Sequence, residues 1–161
     1  MLVPGLRVGF LVADGPAYDS LVRFKQVNDL ATSTLVQRAL EAYVTVGRYQ
    51  VHLRRTCQVF RKRRDAMLEA VARYLPRGVL FEAPQGGLFV WLRLPDALSA
   101  DELLPVACEE GVDFTPGSGF FLDPAQGKEW LRLNFAIQPA EEIDAGMRRL
   151  GKAIRRLKPV P

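Results

Sequence analysis

Arg132 has a residue type and a setting that can recognise a carboxylate. It lies in the segment 130–135, which reads WLRLNF. Successive side chains of a strand point to opposite faces, so Leu131 and Leu133 share one face and Arg132 faces the other way. If that face looks into a cleft, the planar guanidinium can bind a carboxylate through two parallel hydrogen bonds. The same pattern also suits an arginine that points into solvent, and the pattern alone leaves both interpretations open.

Arg7 offers a similar choice near the start of the chain. It follows the tight dipeptide Pro4-Gly5 and alternates with the apolar residues Leu6 and Val8. An arginine beside a glycine turn can bind a phosphate group. A purely structural arginine fits the same spacing.

The glycine-rich segment 116–120, PGSGF, is the third candidate. Backbone amides in such a loop can surround an anion, and an ordinary turn has the same composition. Its spacing matches neither a P-loop nor a dinucleotide-binding fingerprint.

Other kinds of site are poorly supported by the composition. His52 is the only histidine, which disfavours a histidine-rich zinc site or a Ser-His-Asp triad, and no metal site is predicted. Cys57 and Cys108 stand far apart and form no motif. The net charge of +4 is too small to indicate nucleic acid. The arginine clusters lie on the polar sides of predicted helices, where a solvated face is the better interpretation.

The remaining composition is typical of a globular protein from a reducing compartment. Hydrophobic residues make up 48% and charged residues 25% of the 161 residues. Two lone thiols, no apolar run long enough to span a membrane and no visible signal peptide together predict a cytoplasmic location.

Several elements must position these candidates. Apolar residues at three- and four-residue spacing predict helices over 17–26, 34–46, 48–75 and 100–110, and from 139 onward. Apolar runs predict strands over 6–13, 79–82, 88–94, 112–115 and 130–136, the first of them buried. Ser99 is expected to cap the fourth helix.

The third predicted helix is longer than one small domain needs. At 1.5 Å per residue it spans about 40 Å, so we interpret it as a strut that joins two bodies. Residues 48–161 would form the strut and a small α/β domain, and residues 1–47 would belong to another domain.

Four segments together resemble the fold-type-I aminotransferases of class I/II, which use pyridoxal 5′-phosphate (PLP). In chain order they are 4–10 (PGLRVGF), 85–91 (QGGLFVW), 116–120 (PGSGF) and 131–135 (LRLNF). The likeness covers nearly the whole chain. It is strongest to the 2-aminoadipate/kynurenine-type enzymes and to the aminotransferase-like domain of MocR-type (GntR family) transcription regulators, and the residues do not separate these two.

The resemblance implies roles for individual residues. Arg7 would bind the PLP phosphate, and Arg132 would bind the α-carboxylate of an amino-acid substrate. Thr32 and Ser33 would lie near the active site of the partner subunit in a homodimer. The fold would be the C-terminal portion of fold type I, with residues 1–47 a remnant of the PLP-binding large domain. The reaction would transfer an amino group between an amino acid and a 2-oxo acid.

The sequence departs from the family at the catalytic lysine. In the family a Ser-x-Ser-Lys-type segment with the Schiff-base lysine precedes the Pro-Gly dipeptide, a place that falls before Met1. None of the five lysines stands in such a context. We therefore expect the isolated chain to be inactive as a transaminase. We also expect it to associate, because its first strand would lack most of its sheet. The alternative function is the effector-binding and dimerisation part of a MocR-type regulator.

Overall fold

A computed structural model describes residues 4–95 and 98–157 of the chain. The chain divides into two compact units, and the boundary lies between Cys57 and Gln58. The described helices, in chain order, are α1 (Tyr18–Asp29), α2 (Thr34–Thr45), α3 (Arg48–Tyr74), α4 (Ala100–Glu109) and α5 (Ala140–Leu157). The described strands are β1 (Leu80–Phe81), β2 (Phe89–Arg93), β3 (Thr115–Pro116) and β4 (Trp130–Asn134), and short 3-10 helices span Pro4–Leu6, Gly117–Phe120 and Pro124–Gly127.

The segment 6–13 does not form the predicted buried strand. Among the described residues of the first unit there is no strand, and the segment after Leu6 has no regular structure. Phe10 is 94% exposed and Val12 is 85% exposed. A strand needs a neighbour to pair its backbone N–H and C=O groups, and no described segment of the chain pairs with this one. Its hydrophobic pattern is therefore left unpartnered.

The first two helices agree with the sequence pattern. α1 begins one residue later than predicted and continues to Asp29, and α2 begins at Thr34 as predicted. Gly47 separates α2 from α3 and has a φ of +75°, a left-handed backbone that glycine adopts without a steric penalty.

α3 confirms the predicted long helix. It covers 27 residues without interruption and contains the boundary between the two units. Its fully buried residues, Met67, Ala70 and Val71, lie near its C-terminal end and belong to the core of the second unit. Three- and four-residue spacing puts these side chains on one face of the helix.

The sheet of the second unit has the order β1-β2-β4-β3, with antiparallel pairing throughout. Trp91 of β2 pairs with Arg132 of β4, and Thr115 of β3 pairs with Arg132 from the other side. One face of the central pair is fully buried and carries Val90, Leu92, Leu131 and Leu133. The opposite face carries Phe89, Trp91, Arg132 and Asn134, so the alternation predicted for β4 is confirmed.

The buried face of the sheet packs into a single core with α4, α5 and the end of α3. Core members from the helices include Leu103, Met147, Leu150 and Ile154. Burying one such side chain contributes about 1.5–3 kcal/mol. Ser99 caps α4 as predicted, because its hydroxyl accepts a hydrogen bond from the Glu102 backbone N–H. The core thus holds β4, and with it Arg132, in a fixed register.

Two predicted boundaries around β3 were wrong. The strand expected over 112–115 is the two-residue strand Thr115–Pro116, and the loop expected over 116–119 is mostly a 3-10 helix. The cause is the close approach of Gly117 and Gly127. A Cβ on Gly117 would lie 2.7 Å from the Gly127 carbonyl oxygen and 2.8 Å from that of Trp130. This contact ends β3 and turns the chain toward Phe120.

Candidate functional site

Arg132 occupies the centre of the outer face of the sheet. It is half-buried, with Trp91 opposite it on β2 and Thr115 opposite it on β3. The structure therefore does not place it as a freely solvated arginine.

Two phenyl rings hold the guanidinium of Arg132. Its Cζ atom lies 4.1 Å from the centroid of the Phe89 ring and 4.6 Å from that of the Phe120 ring. The Phe120 ring in turn meets Trp91 edge to face, with centroids 5.4 Å apart. Each cation–π contact of this kind contributes about 0.5–2 kcal/mol. These contacts stabilise the charged head without using its N–H groups as hydrogen-bond donors.

Arg132 donates no hydrogen bond to any described residue. Its Nε atom is buried and has no partner among the described residues, and no described carboxylate forms an ion pair with the side chain. Arg93, on the same face, is different, because its Nε donates to Glu129 Oε2 at 2.9 Å. A buried donor without an acceptor costs about 1–3 kcal/mol. The covered Nε is out of reach of a ligand, so an anion that binds Arg132 must contact its two Nη groups.

A cavity of about 490 Å³ opens beside this arginine. The lining includes Arg132, Phe89, Thr115 and Asn134, together with residues of α3 and α5 such as Met67, Glu142 and Arg149. A volume of this size suits a small molecule. The cavity gives an anionic ligand a way to reach Arg132.

The end of β4 beside the cavity is held by two hydrogen bonds at Ala136. The Ala136 N–H donates to Asn134 Oδ1 at 2.7 Å, and the Ala136 carbonyl accepts a bond from Arg63 Nη1 of α3. Asn134 itself is exposed at the cavity wall. These bonds fix the backbone immediately after Arg132.

Shifted ionisation occurs at two groups outside the cavity lining. A hydrogen bond from Lys152 is the main reason that the pKa of Glu110 lies below its ordinary value of 4.5. The pKa of Arg73 is raised, chiefly by its interaction with Tyr74 and also by Asp144. Both groups take part in contacts between helices and have a structural role.

Arg7 lies in the first unit, just after the 3-10 helix Pro4–Leu6. Its φ is +51°, which costs an arginine roughly 1–2 kcal/mol. Its side chain is exposed and has no hydrogen bond or ion pair among the described residues. The guanidinium is therefore accessible to a ligand.

Thr32 and Ser33 form the connection between α1 and α2. The Thr32 hydroxyl donates to Asp29 Oδ2 at 3.4 Å and accepts from Lys25 Nζ at 3.3 Å. Ser33 is the N-cap residue of α2, but its side chain makes no capping hydrogen bond and is exposed. The structure gives these residues a local role in the turn.

The segment 116–120 acts mainly through packing. Gly117 is buried against Gly127, and the Ser118 hydroxyl donates to Asp101 Oδ1 at 3.0 Å. The close approach of the two backbones explains why position 117 is a glycine. The contribution of the segment to the site is the ring of Phe120.

Sequence reasoning missed the aromatic residues of the site. It placed Phe89 and Trp91 in a strand and Phe120 at the end of the candidate segment 116–120, without assigning a role to any of the three rings. The alternation did contain part of the signal, because Phe89 and Trp91 fall on one face of β2. The contact with Phe120 depends on the fold of the 3-10 helix, which the sequence pattern did not indicate.

No described group of three or more histidine, cysteine, aspartate or glutamate side chains is arranged to hold a metal ion. Among the described helices, none combines the length and the apolar character needed to cross a membrane.

Comparison with known proteins assigns the chain to a family. It is 42% identical over 157 residues to the 2-aminoadipate transaminase of Thermus thermophilus. The aligned residues make up 98% of this chain and 39% of that protein. It is also 35% identical over 157 residues to the uncharacterized HTH-type transcriptional regulator YdcR of Escherichia coli, which covers 96% of this chain and 32% of the regulator. The chain thus spans about two-fifths or less of the length of these relatives.

A solved structure gives the same result. The chain superposes on the α-aminoadipate aminotransferase of Thermus thermophilus, solved with N-(5′-phosphopyridoxyl)-L-leucine, with a TM-score of 0.84 and 42% identity over 96% of this chain and 39% of that one. This similarity confirms the predicted fold, a part of the fold-type-I aminotransferase structure. The family description "Aminotransferase class I and II" matches residues 1–150. The chain therefore belongs to the class I and II aminotransferases.

Proposed function

We propose that this chain is the C-terminal portion of a PLP-dependent enzyme that transfers an amino group between an amino acid and a 2-oxo acid. The observation that carries the proposal is Arg132, a half-buried cation that forms no ion pair with a described carboxylate and that lines a cavity of about 490 Å³. Family membership supplies the reaction class. The division into a large-domain part, 1–47, and a strut with small domain, 48–161, belongs to the same proposal.

In this proposal Arg132 binds the α-carboxylate of the substrate. Amino acids and 2-oxo acids share that carboxylate, so a single arginine can hold both substrates of the exchange. A guanidinium with free N–H groups forms two parallel hydrogen bonds to a carboxylate. The rigid β2–β4 pair fixes its position, which orients the α-carbon of the substrate.

Arg7 is proposed to bind the phosphate of PLP. The fit is supported by an exposed guanidinium without a described partner and by the strained backbone conformation that presents it. When bound, PLP supplies an electron sink that stabilises negative charge on the α-carbon of the substrate. The chain's own contribution would be two separate contacts, one from Arg7 to the phosphate and one from Arg132 to the substrate carboxylate.

The 161-residue chain alone is proposed to be inactive. Transamination needs a lysine that reacts with the cofactor and moves a proton. The lysines of this chain lie outside the family's Ser-x-Ser-Lys context: Lys25, Lys62, Lys128, Lys152 and Lys158. Binding of the substrate carboxylate does not require that lysine, so it can be tested separately.

Nuclear magnetic resonance of arginine side chains tests the role of Arg132. We expect addition of propionate to shift the Arg132 Nε–H signal of the 15N-labelled chain in a saturable way. Arg132→Gln removes this signal and thereby assigns it to Arg132. Arg93→Gln is the matched control, because Arg93 lies on the same face but is paired with Glu129. No saturable shift at Arg132 would contradict the proposed function.

The second candidate is a MocR-type regulator, and the similarity to the Escherichia coli HTH-type regulator favours it. In that case the same site would bind an effector carboxylate, and a separate winged helix would bind DNA. Sequencing the transcript upstream of the Met1 codon distinguishes the two. An in-frame Ser-x-Ser-Lys-type segment without a winged helix supports the enzyme, a winged helix further upstream supports the regulator, and a closed frame contradicts both.

A homodimer is also part of the proposal. Thr32 and Ser33 would lie near the active site of the partner subunit. The exposure of Ser33 and the absence of a capping hydrogen bond from its side chain support such a role. A cytoplasmic location remains a proposal that rests on the two free thiols.

A further inference from the structure

We infer that Phe89 and Phe120 are positioning residues that make Arg132 selective for planar carboxylates over tetrahedral anions. This inference rests on the proposed function of Arg132 as the carboxylate-binding residue. It adds a specificity device, because the two rings restrict the directions from which an anion can approach.

The two rings reach Arg132 from different elements of the fold. Phe89 is at the start of β2, where it pairs with Asn134, and therefore lies diagonally across from Arg132. Phe120 ends the 3-10 helix that follows β3. Rings fixed on two separate backbones hold the guanidinium more firmly than either would alone.

Phe120 is itself supported by further aromatic residues. Its ring meets Trp91 edge to face at 5.4 Å, and Trp91 stacks on Trp130 with centroids 5.6 Å apart. Gly117 and Gly127 fix the backbone of this region through their close approach. Packing thus determines the position of Phe120, although 49% of the residue's surface is exposed.

The contacts limit how an anion can bind. The guanidinium carbon lies over both rings at 4.1 and 4.6 Å, and the Nε atom is covered. Hydrogen bonds to a guanidinium form in its own plane. An anion must therefore approach the remaining edge from the cavity that Arg132 lines.

A carboxylate meets this restriction and a sulfonate does not. Both oxygens of a carboxylate can lie in the plane of the guanidinium. A sulfonate carries the same charge, but when two of its oxygens bind, the third oxygen and the carbon project out of that plane toward the rings. Specificity of this kind comes from steric exclusion rather than from a stronger attraction to the preferred ligand.

Competing titrations of the full 161-residue chain with propionate and ethanesulfonate test the inference. The readout is the Arg132 Nε–H signal, which also reports the shielding by the two rings. The variants are Phe89→Leu and Phe120→Leu, which retain an apolar side chain but remove the flat face. Phe81→Leu is the matched control, because Phe81 is equally apolar, lies in the same sheet and is 37% exposed, close to the 38% of Phe89.

In the wild type and in Phe81→Leu we expect propionate to bind at least about tenfold more tightly than ethanesulfonate. In the two test variants that ratio should fall toward one, and the Arg132 Nε–H signal should move toward the position of an unshielded arginine. An unchanged ratio in both folded variants, with propionate still bound at Arg132, would overturn the specificity role and leave the proposed function intact. Failure of the wild type to bind propionate at Arg132 would overturn both. Unfolding midpoints identify a variant that has lost its fold. The affinity ratio of the other variant, Phe89→Leu or Phe120→Leu, then decides whether the rings determine specificity.

Discussion

Gly151 of α5 lies directly against the backbone carbonyl of Tyr74, the last residue of α3. A Cβ atom on Gly151 would overlap the Tyr74 carbonyl oxygen. The contact is reinforced from both sides, because Arg155 Nη1 donates to that same carbonyl at 3.0 Å and the Tyr74 hydroxyl donates to Asp144 Oδ2 at 2.9 Å. This glycine is what lets the long helix end against α5.

Gly151→Ala is therefore expected to destabilise the second unit. The added methyl group must push two helix backbones apart, and overpacking of this kind costs about 1–3 kcal/mol in the free energy of unfolding. Urea unfolding followed by circular dichroism measures the change.

Gly146→Ala is the matched control for this substitution. Gly146 lies in the same helix, but a Cβ there would have no atom within 4 Å. Since alanine favours a helix over glycine, this variant should gain up to about 1 kcal/mol. Equal effects of the two substitutions would show that helix propensity, and not the Tyr74 contact, determines the result.

Gly117→Ala should disturb the aromatic part of the site. A Cβ at this position would meet the Gly127 and Trp130 carbonyl oxygens at 2.7 and 2.8 Å. The two 3-10 helices must then separate, which moves Phe120 away from Trp91 and costs about 1–3 kcal/mol. Near-ultraviolet circular dichroism reports the loss of the tryptophan environment.

Gly119→Ala provides the comparison within the same 3-10 helix. Gly119 is exposed, and no atom lies within 4 Å of a Cβ built there. We expect its tryptophan spectrum to match the wild type. A spectrum altered in Gly119→Ala but not in Gly117→Ala would contradict the packing role of Gly117.

Glu110 should contribute stability that disappears in acid. Its carboxylate accepts a hydrogen bond from Lys152 at 2.7 Å, and the pKa of Glu110 in the folded chain is consequently below its ordinary 4.5. A depressed folded pKa means that the unfolded chain takes up the proton more readily, so stability falls as the pH drops below about 4.5. Above that value the contribution is fully present.

Glu110→Gln should accordingly be less stable than the wild type at pH 7, and the difference should shrink as the pH falls through the folded pKa. Thermal unfolding from pH 7 to pH 3 measures it. Glu109→Gln serves as a comparison. The side chain of Glu109 is 61% exposed, and an exposed ion pair such as the one it forms with Arg156 contributes little. A constant gap between Glu110→Gln and wild type over this range is the contrary result.

Alternation along β4 was enough to place Arg132 on the face opposite the core. The strong apolar stripe of α5 and the long pattern of α3 also predicted their helices closely, because α5 and the C-terminal part of α3 bury one face against the same core. Such elements can be predicted because the spacing of their apolar residues matches the face that they bury, and this spacing is visible within a short stretch of sequence.

The ring contacts of Arg132 could not be predicted in the same way. Phe120 reaches the arginine only because Gly117 and Gly127 bring distant backbones together, and no local period records such an approach. The segment 6–13 failed for a related reason. Its strand pattern is genuine, but a strand forms only where a second segment supplies the partner.

The exposed apolar residues of the first unit lead to a final prediction, that the chain associates in solution. Phe10, Leu11 and Val12 are 94%, 72% and 85% exposed, and they follow one another along the chain. Contiguous apolar surface of this kind favours contact with a partner. Light scattering at increasing protein concentration should show a rising mean mass for the wild type. Phe10→Ser combined with Val12→Ser should lower it, whereas Phe81→Ser, in the second unit, should not. A wild-type chain that stays monomeric at high concentration would show that these residues do not drive association.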